Sequence, residues 1–231
     1  MKLHRFIGDF DFTDEELTVT NREIAHQIKD VLRIEKEERL ILVSEIGQEV
    51  LVEIQDFVDG LPLVRVIERL EPSNQSTRQV SLYCAILKRE NFELVVQKAT
   101  ELGVTEIIPV ITERTIKLGL KMDRLRKIAK EASEQSGRTA VPIIFEPQTY
   151  KSALVDSQRH EATIILDPAG ASRISALPVS SVGVFVGPEG GWTEAELIMA
   201  TEKGFNVMNL GTLILRGETA AMIAVDRLVC G

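Results

Sequence analysis

The sequence predicts a small strand-rich domain followed by a larger α/β domain. Three observations lead to this prediction. Beyond residue 79, strand-like and helical segments alternate, which is the order of a parallel sheet covered by helices. Before residue 72, short runs of β-branched and apolar residues follow one another with a single helical segment among them. The 231 residues are 44 % hydrophobic, enough to build both cores.

The first domain, residues 1–72, is predicted to consist mainly of short strands. Its strand-like runs are 40–43, 50–57 and 63–70, and turn-forming residues at 45–47 and 59–62 separate them. Asn21 is a suitable N-cap for the one helix, in which Ile24, Ile28, Val31 and Leu32 recur at helical spacing. Residues 71–78 contain no apolar side chain, which indicates a linker, and we place the domain boundary there.

The second domain, residues 73–231, is predicted to alternate between strands and helices. A helix is expected to end at the glycine cap Gly103, and the capping box from Thr193 to Glu196 predicts the start of another. The predicted elements are strands at 80–87, 105–111, near Ile143, at 162–166, at 182–186 and near Val207, and helices at 91–102, at 122–135, from Thr193 and at the end of the chain.

Three loops are predicted to converge on one ligand site. Residues 167–170, 187–191 and 209–216 each follow a predicted strand, and ligands of parallel sheets bind at the carboxyl ends of strands. The glycines of these loops would let a ligand approach the backbone closely. The GxGxxG and GxxxxGK[ST] phosphate motifs are absent, and Glu189 would repel an anion, so a neutral or cationic ligand is favoured. Alternatively, Glu189 could fix the loop by accepting hydrogen bonds from backbone N–H groups. An ordinary strand-to-helix turn at 187–191 is the alternative.

Charge argues against a protein that simply coats nucleic acid. The formal net charge is −8, and residues 1–72 carry 9 basic and 17 acidic side chains, whereas the remainder carries 18 of each. Basic residues crowd into 114–138, which allows either a local basic face or a solvated helix surface. No apolar run is long enough to span a bilayer, and residues 1–10 do not resemble a secretory signal, so a cytoplasmic location and no membrane partner are expected.

Other chemistries lack support. His4, His26 and His160 lie far apart without nearby carboxylates at metal-ligand spacing, so no metal is expected. Cys84 and Cys230 have no CxxC spacing and are expected to be inert. Hydrolase chemistry is disfavoured because the Gly-x-Ser-x-Gly motif is absent.

An ordered set of segments along the whole chain resembles the RsmE family of bacterial methyltransferases, which modify N3 of a uridine in small-subunit ribosomal RNA. The segments that carry the resemblance are His4-Arg5-Phe6, Val31-Leu32-Arg33, 97–103, Glu134-Gln135-Ser136-Gly137-Arg138, 187–191, Leu210-Gly211, Ile214-Leu215-Arg216 and Glu218-Thr219-Ala220. The chain departs from the pattern at Gly217, where a threonine is expected.

The resemblance implies an N-terminal PUA-like β-barrel and a C-terminal SPOUT domain with a deep trefoil knot. It also implies a homodimer that binds S-adenosylmethionine (SAM) in the knot and acts on 16S ribosomal RNA or the small ribosomal subunit. The residues implied to bind SAM are Leu166, Asp167, Gly187, Glu189, Gly191, Leu210, Gly211, Ile214 and Leu215.

Arg216 and Glu218 are the catalytic candidates under this resemblance. Arg216 would stabilise charge on the uracil oxygens or bind phosphate, and Glu218 would orient Arg216 or take part in removing the N3 proton. The proton acceptor stays unassigned, and the structural alternative for Arg216 and Glu218 is an intrahelical or interfacial ion pair.

The candidates for RNA binding are basic or polar residues from both domains. They are His4, Arg5, His26, Arg33 and Arg65 in the first, and Lys88, Arg89, Arg114, Gln135 and Arg138 in the second. Two other functions stay open, a SPOUT methyltransferase with another RNA target and a non-catalytic RNA-binding or ribosome-assembly module.

Overall fold

A computed structural model describes residues 3–71, 78–116, 119–174 and 177–230. Within it the chain forms a mixed α/β fold that divides into two compact units. The first unit comprises Met1–Gln75 together with Ser133–Ala140, and the second comprises Ser76–Ala132 and Val141–Gly231. The predicted linker lies largely outside the described residues, because 72–77 are not among them.

The first unit is built on one five-stranded sheet. Its strands are β1 (Arg5–Gly8), β2 (Glu16–Thr18), β3 (Arg39–Ser44), β4 (Glu49–Val58) and β5 (Leu61–Leu70), in the order β1-β3-β4-β5-β2. β1 runs parallel to β3, and the other pairs are antiparallel. Asp59 and Gly60 both have positive φ in the two-residue turn between β4 and β5, as tight hairpins require. Leu61 and Pro62, predicted as part of this turn, therefore belong to β5.

A short helix covers the apolar face of this sheet. Helix α1 (Arg22–His26) begins at Asn21, whose side chain accepts hydrogen bonds from the N–H groups of Glu23 and Ile24, as predicted for an N-cap. The helix continues as one π-helical turn, Gln27–Val31, before the chain turns at Arg33 with φ of +54°. Ile24 and Ile28 are fully buried among the apolar side chains of the strands.

The second unit contains an eight-stranded parallel sheet. Its strands are β6 (Gln79–Ala85), β7 (Glu106–Ile111), β8 (Ile143–Ile144), β9 (Gln148–Thr149), β10 (Ala162–Leu166), β11 (Ser172–Arg173), β12 (Ser181–Val186) and β13 (Asn206–Asn209). The order is β11-β13-β10-β12-β6-β7-β8, and β9 also pairs with β7. β13 thus lies between β10 and β11, although it follows both in the chain.

Helices cover both faces of this sheet. They are α2 (Arg89–Glu101), α3 (Met122–Ser136), α4 (Tyr150–Asp156), α5 (Glu194–Glu202) and α6 (Gly217–Val229). Side chains alternate between the faces, so that Leu82 packs with residues of α2, α3 and α6, whereas Tyr83 packs with residues of α4 and α5. The Tyr83 and Phe185 rings stack at 4.4 Å between centroids.

The predicted strand and helix sequence of the second unit is confirmed, with ends that differ by a few residues. The capping box is present, because Thr193 and Glu196 exchange hydrogen bonds at the start of α5. Five elements were not predicted from the sequence, namely β1, β2, β9, β11 and α4, and the strands among them are only two to four residues long. No helix in the described part of the chain is long and apolar enough to cross a membrane.

Candidate functional site

The three loops predicted to converge line one cavity of about 460 Å³ at the carboxyl ends of β10, β12 and β13. All nine residues predicted to bind SAM line this cavity, and so does Arg216, whereas Glu218 does not. The lining consists of Leu166, Asp167, Pro168, Val186, Gly187, Pro188, Glu189, Gly190, Gly191, Trp192, Asn209, Leu210, Gly211, Leu213, Ile214, Leu215, Arg216, Gly217 and Ala220.

Trp192 joins the first two loops. The residue is 6 % exposed, and the indole Nε1–H donates to the carbonyl oxygen of Leu166 at 2.9 Å. A Cβ atom at Gly187 would lie 3.1 Å from the indole ring. The absence of a side chain at Gly187 therefore makes room for Trp192. From the sequence, the glycines of this loop were expected to make room for a ligand instead.

Residues 188–191 form a tight turn that Glu189 connects to the start of α2. The N–H of Gly191 donates to the carbonyl oxygen of Pro188 at 2.8 Å, and Gly191 has φ of +70°. Glu189 is exposed, and its Oε1 accepts a long hydrogen bond of 3.4 Å from the N–H of Lys88, which is the N-cap of α2. Glu189 thus contributes to the position of the turn as well as placing a negative charge at the cavity.

The third loop is fixed at its start and apolar at its tip. The side chain of Asn209 donates to the carbonyl oxygen of Gly170 at 2.6 Å, and Arg227 of α6 donates to that of Leu210 at 3.2 Å. Leu213 and Ile214 are 78 % and 86 % exposed. The loop therefore presents unusually exposed apolar side chains at the cavity.

The connection between β10 and β11 passes close to β13. A Cβ atom at Gly170 would lie 2.5 Å from the carbonyl carbon of Met208, so only glycine fits there. The N–H of Asp167 donates to the carbonyl oxygen of Met208 at 2.9 Å, and Asp167 Oδ1 accepts from the N–H of Ala169 at 2.8 Å. These bonds fix the Asp167 carboxylate at the cavity wall.

Arg216 and Glu218 lie in different surroundings at the start of α6. Arg216 is exposed and makes no ion pair with Glu218 within the described residues, so the intrahelical form of the ion-pair alternative is absent there. Glu218 is 8 % exposed, and its Oε2 has no hydrogen-bond partner in the described part of the chain. The pKa of the Cys84 thiol is raised by its burial and by the nearby carboxylates of Glu189 and Glu218.

Gly217, the departure from the family pattern, is buried against another element. A Cβ atom there would lie 2.9 Å from Cδ2 of Leu87. In this chain the Leu87 side chain therefore occupies the space that a residue larger than glycine would need.

The RNA-binding candidates of the first unit differ in availability. His4 and Arg33 are exposed, and His26 is exposed with its Nδ1 2.7 Å from Asp30. Arg65 lies 3.4 Å from Glu53 and is half exposed. The Arg5 side chain is 13 % exposed, and its guanidinium lies 2.7 Å from the buried Glu49 carboxylate, an arrangement that favours a structural role.

The RNA-binding candidates predicted for the second domain differ in exposure and in the unit to which they belong. Lys88 is exposed, and the side chain of Arg89 is outside what the structure describes. Gln135 and Arg138 belong to the first unit rather than to the second. Gln135 is exposed, and burial lowers the pKa of the Arg138 guanidinium to about 10.

Arg114 contacts the cavity-lining turn. Its Nη1 donates to the carbonyl oxygens of Gly190 at 2.6 Å and of Trp192 at 3.2 Å. This contact was not predicted from the sequence, and neither were those of Trp192 with Leu166 and of Arg227 with Leu210, because each joins segments that lie apart in the chain. The one signal for Trp192 was its place directly after the glycine-rich turn.

Comparison with known proteins identifies the family of the chain. Residues 74–229 match the family described as RNA methyltransferase domain. The chain is 35 % identical to ribosomal RNA small subunit methyltransferase E of Rickettsia conorii, covering 97 % of this chain and 94 % of that one. It is 31 % identical to the protein of the same name in Bacillus subtilis, covering 90 % and 88 %.

A solved structure shares the whole fold. It is a ribosomal RNA small subunit methyltransferase E from Neisseria gonorrhoeae bound to S-adenosyl methionine, 30 % identical, with a TM-score of 0.88 over 97 % of this chain and 95 % of that chain. The chain therefore belongs to the RNA methyltransferase family, among proteins named ribosomal RNA small subunit methyltransferase E.

Proposed function

We propose that this protein transfers the methyl group of SAM to N3 of a uridine in 16S ribosomal RNA. The observation that carries the proposal is the cavity formed by three loops at the ends of parallel strands. Relatives along the whole chain are named as methyltransferases of small-subunit ribosomal RNA, and one was solved with SAM bound.

The residues at the cavity suit SAM. A volume of about 460 Å³ lies within the usual range for cofactor sites. Leu166, Leu210 and Leu215 offer apolar surface, and the glycines expose backbone groups for polar contacts. The carboxylates of Asp167 and Glu189 at the wall favour a positively charged ligand such as a sulfonium.

The mechanism divides between cofactor and protein. When bound, SAM supplies an activated methyl group on a sulfonium, so the protein needs mainly to align the uracil and to favour loss of its N3 proton. Arg216, exposed at the cavity, would stabilise the negative charge that develops on the uracil carbonyl oxygens.

Glu218 is the candidate for a part in removing the proton. Its Oε2 lacks a partner among the described residues, so this atom is available to a donor. Glu218 does not line the cavity. A part in removing the proton would therefore require the Glu218 side chain to move, or the bound RNA to place a hydrogen-bond donor next to its carboxylate.

The RNA would be positioned by exposed basic side chains of each unit. His4, His26, Arg33 and Arg65 in the first unit and Lys88 in the second are available for phosphate or base contacts. Because the first 72 residues carry an acidic excess, we expect modest affinity for naked RNA and recognition of a shape in the assembled small subunit.

The finer architecture is also a proposal. The five-stranded first unit would be a PUA-like barrel, supported by its register shifts between β4 and β5, which bend the sheet. A trefoil knot is supported by β13, which enters between β10 and β11 and then continues into the third loop. The exposed Leu213 and Ile214 support a homodimer that would cover them. We also expect the protein to act in the cytoplasm.

The decisive experiment uses SAM with a labelled methyl group and small ribosomal subunits that lack the modification. We expect one labelled uridine, located at N3 by mass spectrometry, and naked 16S RNA is the comparison substrate. Label in transfer RNA would contradict the assignment of 16S ribosomal RNA as the substrate and favour another RNA target. Absence of heat on titration of the folded protein with S-adenosylhomocysteine would favour a non-catalytic module.

A further inference from the structure

Arg114 contacts the glycine-rich turn from a segment that does not itself line the cavity. Its Nη1 lies 2.6 Å from the carbonyl oxygen of Gly190 and 3.2 Å from that of Trp192. These two carbonyls flank Gly191, the residue with φ of +70°. The guanidinium therefore links the carbonyl groups on either side of Gly191, a glycine whose backbone could otherwise adopt many conformations.

The stem of Arg114 fits against the turn because residue 190 has no side chain. A Cβ atom at Gly190 would lie 3.3 Å from Cδ of Arg114, a tighter contact than side chains normally make. The lack of a Cβ at position 190 is thus explained by the arginine stem rather than by a ligand.

Arg114 is itself held in place by its neighbours. The N–H of Thr112 donates to Oγ1 of Thr115 at 2.9 Å, which closes the segment on itself. The N–H of Glu113 donates to Oε1 of Glu196 at 3.0 Å, and Glu196 is the N3 residue of the α5 capping box. The 112–115 segment is therefore hydrogen-bonded to α5, the helix that follows the turn. These bonds hold the backbone of Arg114 in place.

We propose that Arg114 is a positioning residue that pre-organises the 187–192 segment for the cofactor, and not an RNA contact. The proposal rests on the proposed SAM binding at this cavity. Residues 187–192 all line the cavity, so their backbone groups would face the bound cofactor. Without Arg114 the turn samples more conformations, and binding has to order it first, which weakens affinity but not the chemistry of the bound state.

The test compares Arg114→Met, Arg114→Lys and, as a matched control, Arg124→Met. Arg124 is an exposed arginine of the same unit, paired with Glu93. For Arg114→Met we expect the Kd for S-adenosylhomocysteine and the KM for SAM to rise about tenfold, with kcat changed less than about twofold. Lysine retains a charged donor and should restore most of the affinity, and Arg124→Met should match the wild type.

Two further readouts separate the outcomes. RNA affinity and its salt dependence should be unchanged in Arg114→Met; weaker RNA binding with unaltered cofactor affinity would overturn the proposal and make Arg114 a phosphate contact. Hydrogen exchange at the Gly191 amide should be about tenfold faster in Arg114→Met without any ligand. Unchanged exchange would also overturn it.

The exchange measurement keeps this proposal distinct from the proposed function. If the wild-type protein fails to bind S-adenosylhomocysteine, the proposed function fails, while exchange still tests the turn. Arg114→Gln, which keeps a neutral donor on a shorter stem, serves as a second variant if Arg114→Met does not fold, and it should also accelerate exchange at Gly191.

Discussion

Single residues in the glycine-rich turn show what a sequence can and cannot reveal. The glycines at 187, 190 and 191 marked the site, but they did so for different reasons. Gly191 needs its positive φ, whereas Gly187 and Gly190 make room for Trp192 and Arg114. A glycine in a sequence does not identify the atoms that approach it, because Arg114 lies 76 residues away from Gly190. The convergence of the three loops on one cavity was therefore predictable, and the contacts within the turn were not.

Replacing Trp192 with phenylalanine removes the indole N–H donor and part of a buried ring system. The carbonyl of Leu166 would lose its 2.9 Å bond, which we expect to lower the free energy of unfolding by about 1–3 kcal/mol and to weaken binding of S-adenosylhomocysteine. Chemical denaturation and calorimetry measure both. The control Tyr150→Phe removes the bond from Tyr150 to the Glu196 carbonyl outside the cavity, so it should lower stability alone. Unaltered cofactor affinity in Trp192→Phe would contradict the expected role.

Arg216→Ala should separate catalysis from folding. Because Arg216 is exposed and makes no hydrogen bond through its side chain within the described residues, its loss should change stability by less than about 0.5 kcal/mol. The kcat for methyl transfer should fall by about 10²–10³, while binding of S-adenosylhomocysteine persists. Arg216→Lys should recover part of the rate. Full turnover by Arg216→Ala would remove Arg216 from the catalytic site.

Regular elements were predicted better than their order in the sheet. The alternation of strands and helices, the Asn21 cap and the Thr193–Glu196 capping box are local patterns, and each was confirmed. β11 spans only Ser172–Arg173, too short for a periodic signal. The position of β13 between β10 and β11 depends on contacts between distant segments, which periodicity does not encode.

Gly170→Ala tests the close approach of the connection before β11 to β13. The new Cβ would lie 2.5 Å from the carbonyl carbon of Met208, a backbone atom that cannot move without displacing β13. We expect a loss of about 1–3 kcal/mol in the free energy of unfolding, measured by denaturation. Ala169→Ser, at the exposed neighbouring position, should have no measurable effect. Equal stability of the two variants would show that the connection adapts.

At the scale of the whole molecule, the second unit carries a polar cluster around the amino ends of its central strands. The Tyr83 hydroxyl donates to Asp156 at 2.6 Å and lies 3.2 Å from Nε2 of His160, and Arg159 pairs with Glu106. Burial and the charge of Arg159 lower the pKa of His160. Burial opposes ionisation of Glu106, but Arg159 and Ser81 nevertheless keep its pKa below the usual value.

Stability should therefore decline in acid. His160 remains neutral in the folded state at pH values where the unfolded chain already binds a proton, so its contribution is complete above pH 6.5 and is lost as the pH falls below that value. Glu106 adds a further loss below pH 4.5. The slope from His160 is at most about 1.4 kcal/mol per pH unit, reduced by partial solvation.

Urea denaturation between pH 5 and pH 8 tests the histidine contribution. The variant His160→Gln cannot titrate and should show a flatter profile between about pH 5 and 6.5. Identical slopes in the variant and the wild type would show that other groups dominate the pH dependence.

The pairing of β6 with β12 has a consequence for how the protein is made. These adjacent central strands join Gln79–Ala85 to Ser181–Val186, about a hundred residues later in the chain. During synthesis β6 has to wait for its partner, while β7 is available much sooner. Folding of the second unit is therefore expected to be slow and largely post-translational, since long-range parallel pairing closes large loops before it gains contacts.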